Sequence, residues 1–203
     1  MAATHSSPLV LGVTGASGAI YARRLLQVLL EADREVHLSI SPSGQAVFEQ
    51  ELNVSLDLQS FSAEAFLGGP LPATGRLHYH HYQNLMAPIA SGSFLTGTMA
   101  ICPCSGSTLA AVAHSMGENL IHRAAEVQLK ERRKLVVVPR ETPLSLPQLK
   151  NMQAIHEAGA VVLPAAPGFY HGAATVDDLV NFVVARICDQ LGVENDLVRR
   201  WGS

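Results

Sequence analysis

A chain of 203 residues in which 48% of side chains are apolar and only 15% charged is long enough to bury a core of its own, and residues 1–203 read as one domain. The net charge of -3 gives no electrostatic case for nucleic acid or an anionic membrane, and no apolar run approaches the roughly 18 residues of a membrane span. Such scarce charge fits a homo-oligomer that buries apolar surface between subunits.

The opening MAATHSSP lacks the basic and apolar regions of a secretory signal, so residues 1–7 are expected to be a flexible lead-in and the protein cytosolic. LVLGV, residues 9–13, is apolar and of strand length. Thr14-Gly15-Ala16-Ser17-Gly18 then gives way to a helical pattern over 18–32, with Ile20, Leu25, Leu26 and Leu29 on one side. Glycines permit a sharp turn, and the helix start after them offers unpaired N–H groups and a positive dipole end, so an anion, expected to be a phosphate, belongs there. VHLSIS (36–41) is a second strand before a helix over 43–52, and MAICPC (99–104) a third before helices over 105–115 and 119–132. LVVVP (135–139), a helix over 145–157, AVVLPA (160–165) and a helix over 176–191 complete the series, the last opening on Thr175 as N-cap with acids in its first turn.

Strands alternating with helices imply a Rossmann-like three-layer α/β/α fold around a mostly parallel sheet. Ligands collect at the carboxyl ends of such strands, near the switch point. The residues there are Thr14 to Gly18, Ser41, Ser105-Gly106-Ser107-Thr108, the pair Arg140-Glu141 and the loop Pro167-Gly168-Phe169-Tyr170-His171.

The spacing Gly12-x-x-Gly15-x-x-Gly18 also occurs in nicotinamide-dependent dehydrogenases and epimerases. Those enzymes need an acid or base after the second strand to hold the adenosine ribose, where this chain has Ser41-Pro42-Ser43. Short-chain dehydrogenases carry a lysine four residues after a tyrosine, whereas Tyr21, Tyr79, Tyr82 and Tyr170 are followed at that spacing by Leu25, Gln83, Met86 and Ala174. A one-phosphate cofactor such as FMN fits a glycine turn backed by hydroxyls and Arg140. His78, His80 and His81 in HYHHY have no carboxylate or thiol at ligand spacing, so they read as a surface loop and no metal is expected. Cys102, Cys104 and Cys188, an odd number without a secretory signal, are expected to be reduced and structural.

Over nearly its whole length the chain resembles the UbiX-type flavin prenyltransferases of the FMN-binding flavoprotein superfamily. The resemblance rests on GVTGASGAIYA, Ala90-Ser91-Gly92-Ser93, ICPCSGSTLAAVA, NLIHRAAEVQLKERRKLVVVPRETPLS, LPAAPGFYH, VDDLVNFVVARICDQLG and a terminal RRW. It implies prenyl transfer without a metal: reduced FMN takes a dimethylallyl group from dimethylallyl monophosphate at N5, a second bond closes at C6, and the prenylated FMN serves a UbiD-type decarboxylase. It implies FMN binding by Gly15, Ala16, Ser17, Ser41, Ser105, Gly106, Ser107, Thr108 and Arg140. It also implies a dodecamer with sites at subunit interfaces, Ser91 and Ser93 reaching a neighbour's cofactor.

The same resemblance gathers Arg123, Lys130, Arg140, Glu141, Tyr170 and Arg186 around the departing phosphate, whose growing charge cations and a phenol stabilise. Without it, Arg123 and Lys130, seven apart on one helix face, read as a solvated stripe, and Arg186, within the apolar FVVARIC, as a surface ion pair. Glu51 matches a glutamate that takes up the proton lost from C6; on its own it reads as a solvated helix end. Ser17 matches a serine that bonds the flavin, with helix capping as its bland role. Where relatives often have Asp-Trp before ASGS, this chain has Asn84-Leu85, which removes an aromatic wall from the prenyl pocket. The competing readings are an FMN-dependent cysteine-type decarboxylase of the same superfamily, whose early-helix histidine and substrate segment this chain lacks, and a noncatalytic FMN-binding protein.

Overall fold

The computed structural model describes residues 7–170, 172–200 and 202. The expected flexible lead-in, except for Ser7, and His171 and Trp201 of the matching motifs lie outside the described residues. The chain order is β1 (Leu9–Val13), α1 (Ala19–Glu31), β2 (Glu35–Ile40), α2 (Pro42–Leu52), α3 (Ala63–Leu67), β3 (Arg76–Tyr79), a 3-10 turn (Pro88–Ala90), β4 (Met99–Cys104), α4 (Gly106–Ala113), α5 (Leu120–Lys130), β5 (Leu135–Pro139), α6 (Leu146–Glu157), β6 (Val161–Val162) and α7 (Val176–Leu191).

The strands form one sheet in the order β3-β2-β1-β4-β5-β6, with every pairing parallel. Side chains alternate across a strand, so Leu9, Leu11 and Val13 pack with α1, α2, α3 and α7 on one face. Val10 turns to the other face, with α4, α5 and α6. Both faces are therefore covered, as the uninterrupted apolar strands require. The order reverses between β1 and β4, which sets the switch point at the glycine turn after β1.

The structure corrects several expected boundaries. β3 and α3 were not legible: RLHY is short, half-exposed and at the sheet edge, so it lacks the apolar run that marks the central strands. AVVLPA narrows to Val161–Val162, although Leu163 and Ala165 still donate to Val137 and Pro139 carbonyls at 2.9 and 3.0 Å; Pro164 between them has no N–H to extend the ladder. The helices expected to reach 115 and 132 stop at Ala113 and Lys130, because Ser115 and Arg132 adopt left-handed backbone, φ 54° and 56°. HYHHY is not wholly a loop, since His78 and Tyr79 belong to β3.

Gly12 shows how the glycine spacing serves packing. A Cβ built there would lie 2.8 Å from Ile121 Cγ2, so the missing side chain lets α5 approach β1. Gly12→Val is expected to lower stability by about 1–3 kcal/mol through overpacking, read as a lower denaturation midpoint. Gly69→Ala, which meets nothing within 4 Å, is the near-neutral control; equal effects would contradict this account of the contact.

Candidate functional site

Three helix starts meet at the carboxyl edge of the sheet. Thr14 leaves β1 buried; its hydroxyl donates to the Pro103 carbonyl at 2.8 Å and accepts from the Ser105 N–H at 2.8 Å. One side chain thereby ties the glycine turn to the end of β4 and to the start of α4. A Cβ on Gly15 would collide with Ser43 Cβ, so the glycine lets α2 begin against the turn. Gly18, at φ 121°, is the N-cap of α1 and makes no side-chain cap.

The α1 start already has an anion, and it is the protein's own. Glu51 receives the Gly18 N–H at 2.9 and 3.1 Å and the Ala19 N–H at 2.8 Å, satisfying donors that a helix N-terminus leaves unpaired and meeting its positive dipole end. The sequence-based expectation of a phosphate on these amides, and of Glu51 as a merely solvated helix end, gives way to this contact. Ser17, beside it, does not cap the helix: its carbonyl accepts from Arg140 Nε at 3.2 Å, and its hydroxyl has no hydrogen-bond partner among the described residues.

The other two helix starts face a common cleft. Ser41 caps α2 by accepting the Gly44 N–H at 3.0 Å, and Ser105 caps α4 by accepting the Thr108 N–H at 3.2 Å. The Ser105 hydroxyl also meets Ser107 and Thr108 hydroxyls at 3.1 and 3.0 Å. Gly15, Ser41, Ser43, Ser105, Ser107 and Thr108 line a cleft of about 450 Å³, within the range of small-molecule sites. Tyr82, Glu118, Asn119 and His122 also line it, and sequence reasoning missed all four. His122 is buried, which holds its ring below the ordinary imidazole range, and its Nδ1 has no hydrogen-bond partner. Two positive helix ends, several hydroxyls and an orphaned buried nitrogen suit a phosphorylated polar ligand.

The remaining expected residues do not all converge within one chain. Arg140 reaches the α1 start, and Glu141 accepts from Thr142 N–H at 3.0 Å and Gln148 Nε2 at 3.3 Å. Tyr21 joins this group unforeseen; burial raises its phenol, with Cys102 and Glu51 adding to the effect and Arg140 opposing it. Arg123 and Lys130 turn elsewhere, to the 90–93 loop. Arg123 Nε donates to the Ala90 carbonyl at 3.1 Å, Lys130 pairs with Glu131, and a Cβ on Gly92 would lie 2.6 Å from Lys130 Nζ. Ser91 and Ser93, on this loop, share a hydroxyl contact at 2.9 Å. Lys130 precedes β5 and Arg140 follows it, so the five residues of that strand set them about 16 Å apart along the sheet.

Arg186 stands at a third place. It is half-exposed and pairs with Asp189 at 2.9 Å, so its position in an apolar run reflects the outer face of α7, not a buried charge. Tyr170 packs edge-on against Phe182, ring centroids 5.7 Å apart. At the expected departure, Leu85 and Met86 are exposed. All three cysteines are free and buried, and burial pushes Cys104 and Cys188 up to about 12 and Cys102 higher than its usual value, which suits a structural role.

The Flavoprotein family profile matches residues 2–188. The chain is 50% identical to flavin prenyltransferase UbiX of Pseudomonas aeruginosa over 196 residues, 96% of this chain and 94% of the relative. Among solved structures, AnUbiX (PadA1) in complex with FMN and dimethylallyl pyrophosphate superposes with a TM-score of 0.85 at 34% identity, covering 98% of each chain. A dodecameric FMN-dependent UbiX-like decarboxylase from Escherichia coli O157:H7 gives 0.83 at 41% identity, covering 97% of this chain and 100% of that one.

Because Glu51 satisfies two helix-start amides, Glu51→Ala is expected to destabilise the protein by about 0.5–2 kcal/mol, the range for losing an N-cap, even without any ligand. Denaturant unfolding of the ligand-free protein measures it. Unchanged stability would show that the carboxylate does not hold the α1 start.

Proposed function

The chain belongs to the flavoprotein family, in its UbiX flavin prenyltransferase branch, and from that premise we propose that it transfers a dimethylallyl group to reduced FMN. The observation that carries this reading is the 50% identity to a flavin prenyltransferase across 96% of the chain, which outweighs the cysteine-decarboxylase and carrier alternatives. The cleft supplies the physical fit. Reduced FMN brings nucleophilic N5 and C6 atoms, the chemistry that the protein itself lacks.

The phosphate of FMN takes the α2 and α4 starts, where Ser41, Ser105, Ser107 and Thr108 offer hydroxyls beside the two positive helix ends. Gly15, Ala16, Ser17, Gly106 and Arg140 line the path from that seat. Glu51 acts as the base for the proton lost at C6, with the Ser17 hydroxyl as relay; a carboxylate fixed by backbone N–H groups needs little rearrangement to accept it. Arg123, Lys130, Arg140, Tyr170 and Arg186 bind the donor phosphate and stabilise its charge as it leaves, Ser91 adds a hydroxyl, and Glu141 passes a proton to the departing phosphate as N5 gives one up. The donor is dimethylallyl monophosphate.

The separation of Lys130 from Arg140 along β5 supports a site completed by neighbouring chains, and hence a dodecamer like the Escherichia coli relative. Among the described residues no helix is long and apolar enough to cross a membrane; the proposed location, separately, is the cytosol. Its product goes to a UbiD-type decarboxylase.

Anaerobic incubation with reduced FMN and dimethylallyl monophosphate is expected to add one prenyl unit to the flavin mass and release phosphate, with the diphosphate a poorer donor. Lys130→Ala and Arg140→Ala should each lose about 100-fold or more in rate, and oligomers assembled from a mixture of the two should regain activity. No prenylated flavin would refute the activity; active wild type with silent mixtures would refute the shared site alone.

A further inference from the structure

The β2–β3 margin of the sheet, away from the cleft, carries groups to which prenyl transfer gives no task. In the parallel pairing Glu35 stands opposite Arg76 and His37 opposite His78. Residues two apart in a strand share a face, so Glu35 and His37 meet Arg76 and His78 on the same side. Glu35 Oε1 lies 3.6 Å from His37 Nε2 and 3.2 Å from His78 Nε2, and the three ligand atoms all lie within 4.8 Å of one another. Ligands about 2.0–2.1 Å from a tetrahedral ion stand about 3.3 Å from each other, so two edges of a coordination face are nearly formed.

Two observations separate this group from a chance meeting of polar side chains. His37 is only 4% exposed, yet its Nε2 is buried without a hydrogen-bond partner, a state that buried polar atoms rarely keep. The outward atoms, by contrast, are engaged. His37 Nδ1 meets His80 Nε2 at 2.8 Å, and both Arg76 contacts, at 2.8 and 3.2 Å, fall on Glu35 Oε2. His37 Nε2 and Glu35 Oε1 are thus left facing each other, oriented by outer partners in the way that metal ligands are.

We propose that Glu35, His37 and His78 bind one divalent transition-metal ion of the zinc class through Oε1 and the two Nε2 atoms, water completing the tetrahedron. Two imidazoles and one carboxylate suit zinc, whereas magnesium and calcium call for oxygen ligands. The His78 side chain is 46% exposed, which gives the ion a way in. The His37 ring packs edge-on against Phe94 with centroids 5.1 Å apart, and Phe94 directly follows Ser93. The ion therefore braces the edge strand and the base of the 91–93 loop together. The carboxylate comes from another strand, which is why the histidine run alone gave no sign of it. The site is structural and separate from the metal-independent transfer.

The test uses the full, untagged chain, stripped with a chelator, desalted and titrated with Co(II) and then Zn(II), followed by visible absorption, calorimetry and thermal melting. Expected are one ion per chain, a tetrahedral Co(II) spectrum that Zn(II) abolishes, and a raised melting temperature. His78→Ala, a change at an exposed edge, should abolish stoichiometric uptake while FMN binding persists. Arg76→Ala should weaken uptake by about 10–100-fold, the usual effect of losing an outer partner, and His114→Ala should change nothing. Absence of stoichiometric uptake, or uptake by His78→Ala equal to wild type, would overturn the proposal whatever the transferase assay gives.

Discussion

The N-termini of α1, α2 and α4 converge on one turn, and each brings unpaired N–H groups and a positive dipole end to the same edge of the sheet. Three such ends in one place repel one another unless negative or lone-pair-bearing groups are placed among them. The protein supplies these internally in different ways: a full carboxylate, Glu51, for α1, and neutral hydroxyls, Ser41 and Ser105, for α2 and α4. A carboxylate neutralises an end. A hydroxyl satisfies one N–H and leaves the end electropositive, which is the condition for holding a phosphate. The division of anionic and neutral caps thus separates one helix end that the protein neutralises itself from two that stay electropositive.

Packing makes that convergence possible. Gly12 admits α5 against β1, Gly15 admits α2 against the turn, and Thr14 ties the turn to the end of β4. Two glycines and one threonine thus serve three separate contacts. Arg123 and Lys130 extend from α5 to the 90–93 loop, and Arg133 adds bonds to the Gly92 and Phe94 carbonyls at 2.6 and 2.9 Å. Lys130, at the opposite end of α5 from His122, lies away from the cleft of its own chain, whereas Arg123 directly follows His122.

Much of this was legible in the sequence because it depends on local order. Strand runs ending in Thr, Ser and Gly locate the carboxyl edge, and the seven-residue spacing of Arg123 and Lys130 gives their common direction. What was not legible depends on meetings between distant segments. Glu51 reaches the α1 start across 33 residues of chain, and no periodicity in α2 signals it. Tyr82, Asn119 and His122 enter the cleft from loops and from α5. Arg186, by contrast, forms with Asp189 the surface ion pair that its residues alone suggested. β3 was hidden by its polarity, and with it the register that sets His78 beside His37.

A phosphate on the α2 and α4 starts, and not on the α1 start, is the arrangement that these caps favour. Comparing equilibrium affinities for FMN and riboflavin, which differ by that phosphate alone, tests it most directly in wild type and in Ser105→Ala, Ser41→Ala and Glu51→Ala proteins. Wild type should prefer FMN by about 100-fold or more, as expected for several charge-assisted bonds. The preference should shrink in both serine variants and survive in the glutamate variant. Equal affinity for the two flavins in wild type, or loss of the preference in Glu51→Ala with its retention in the serine variants, would contradict the assignment.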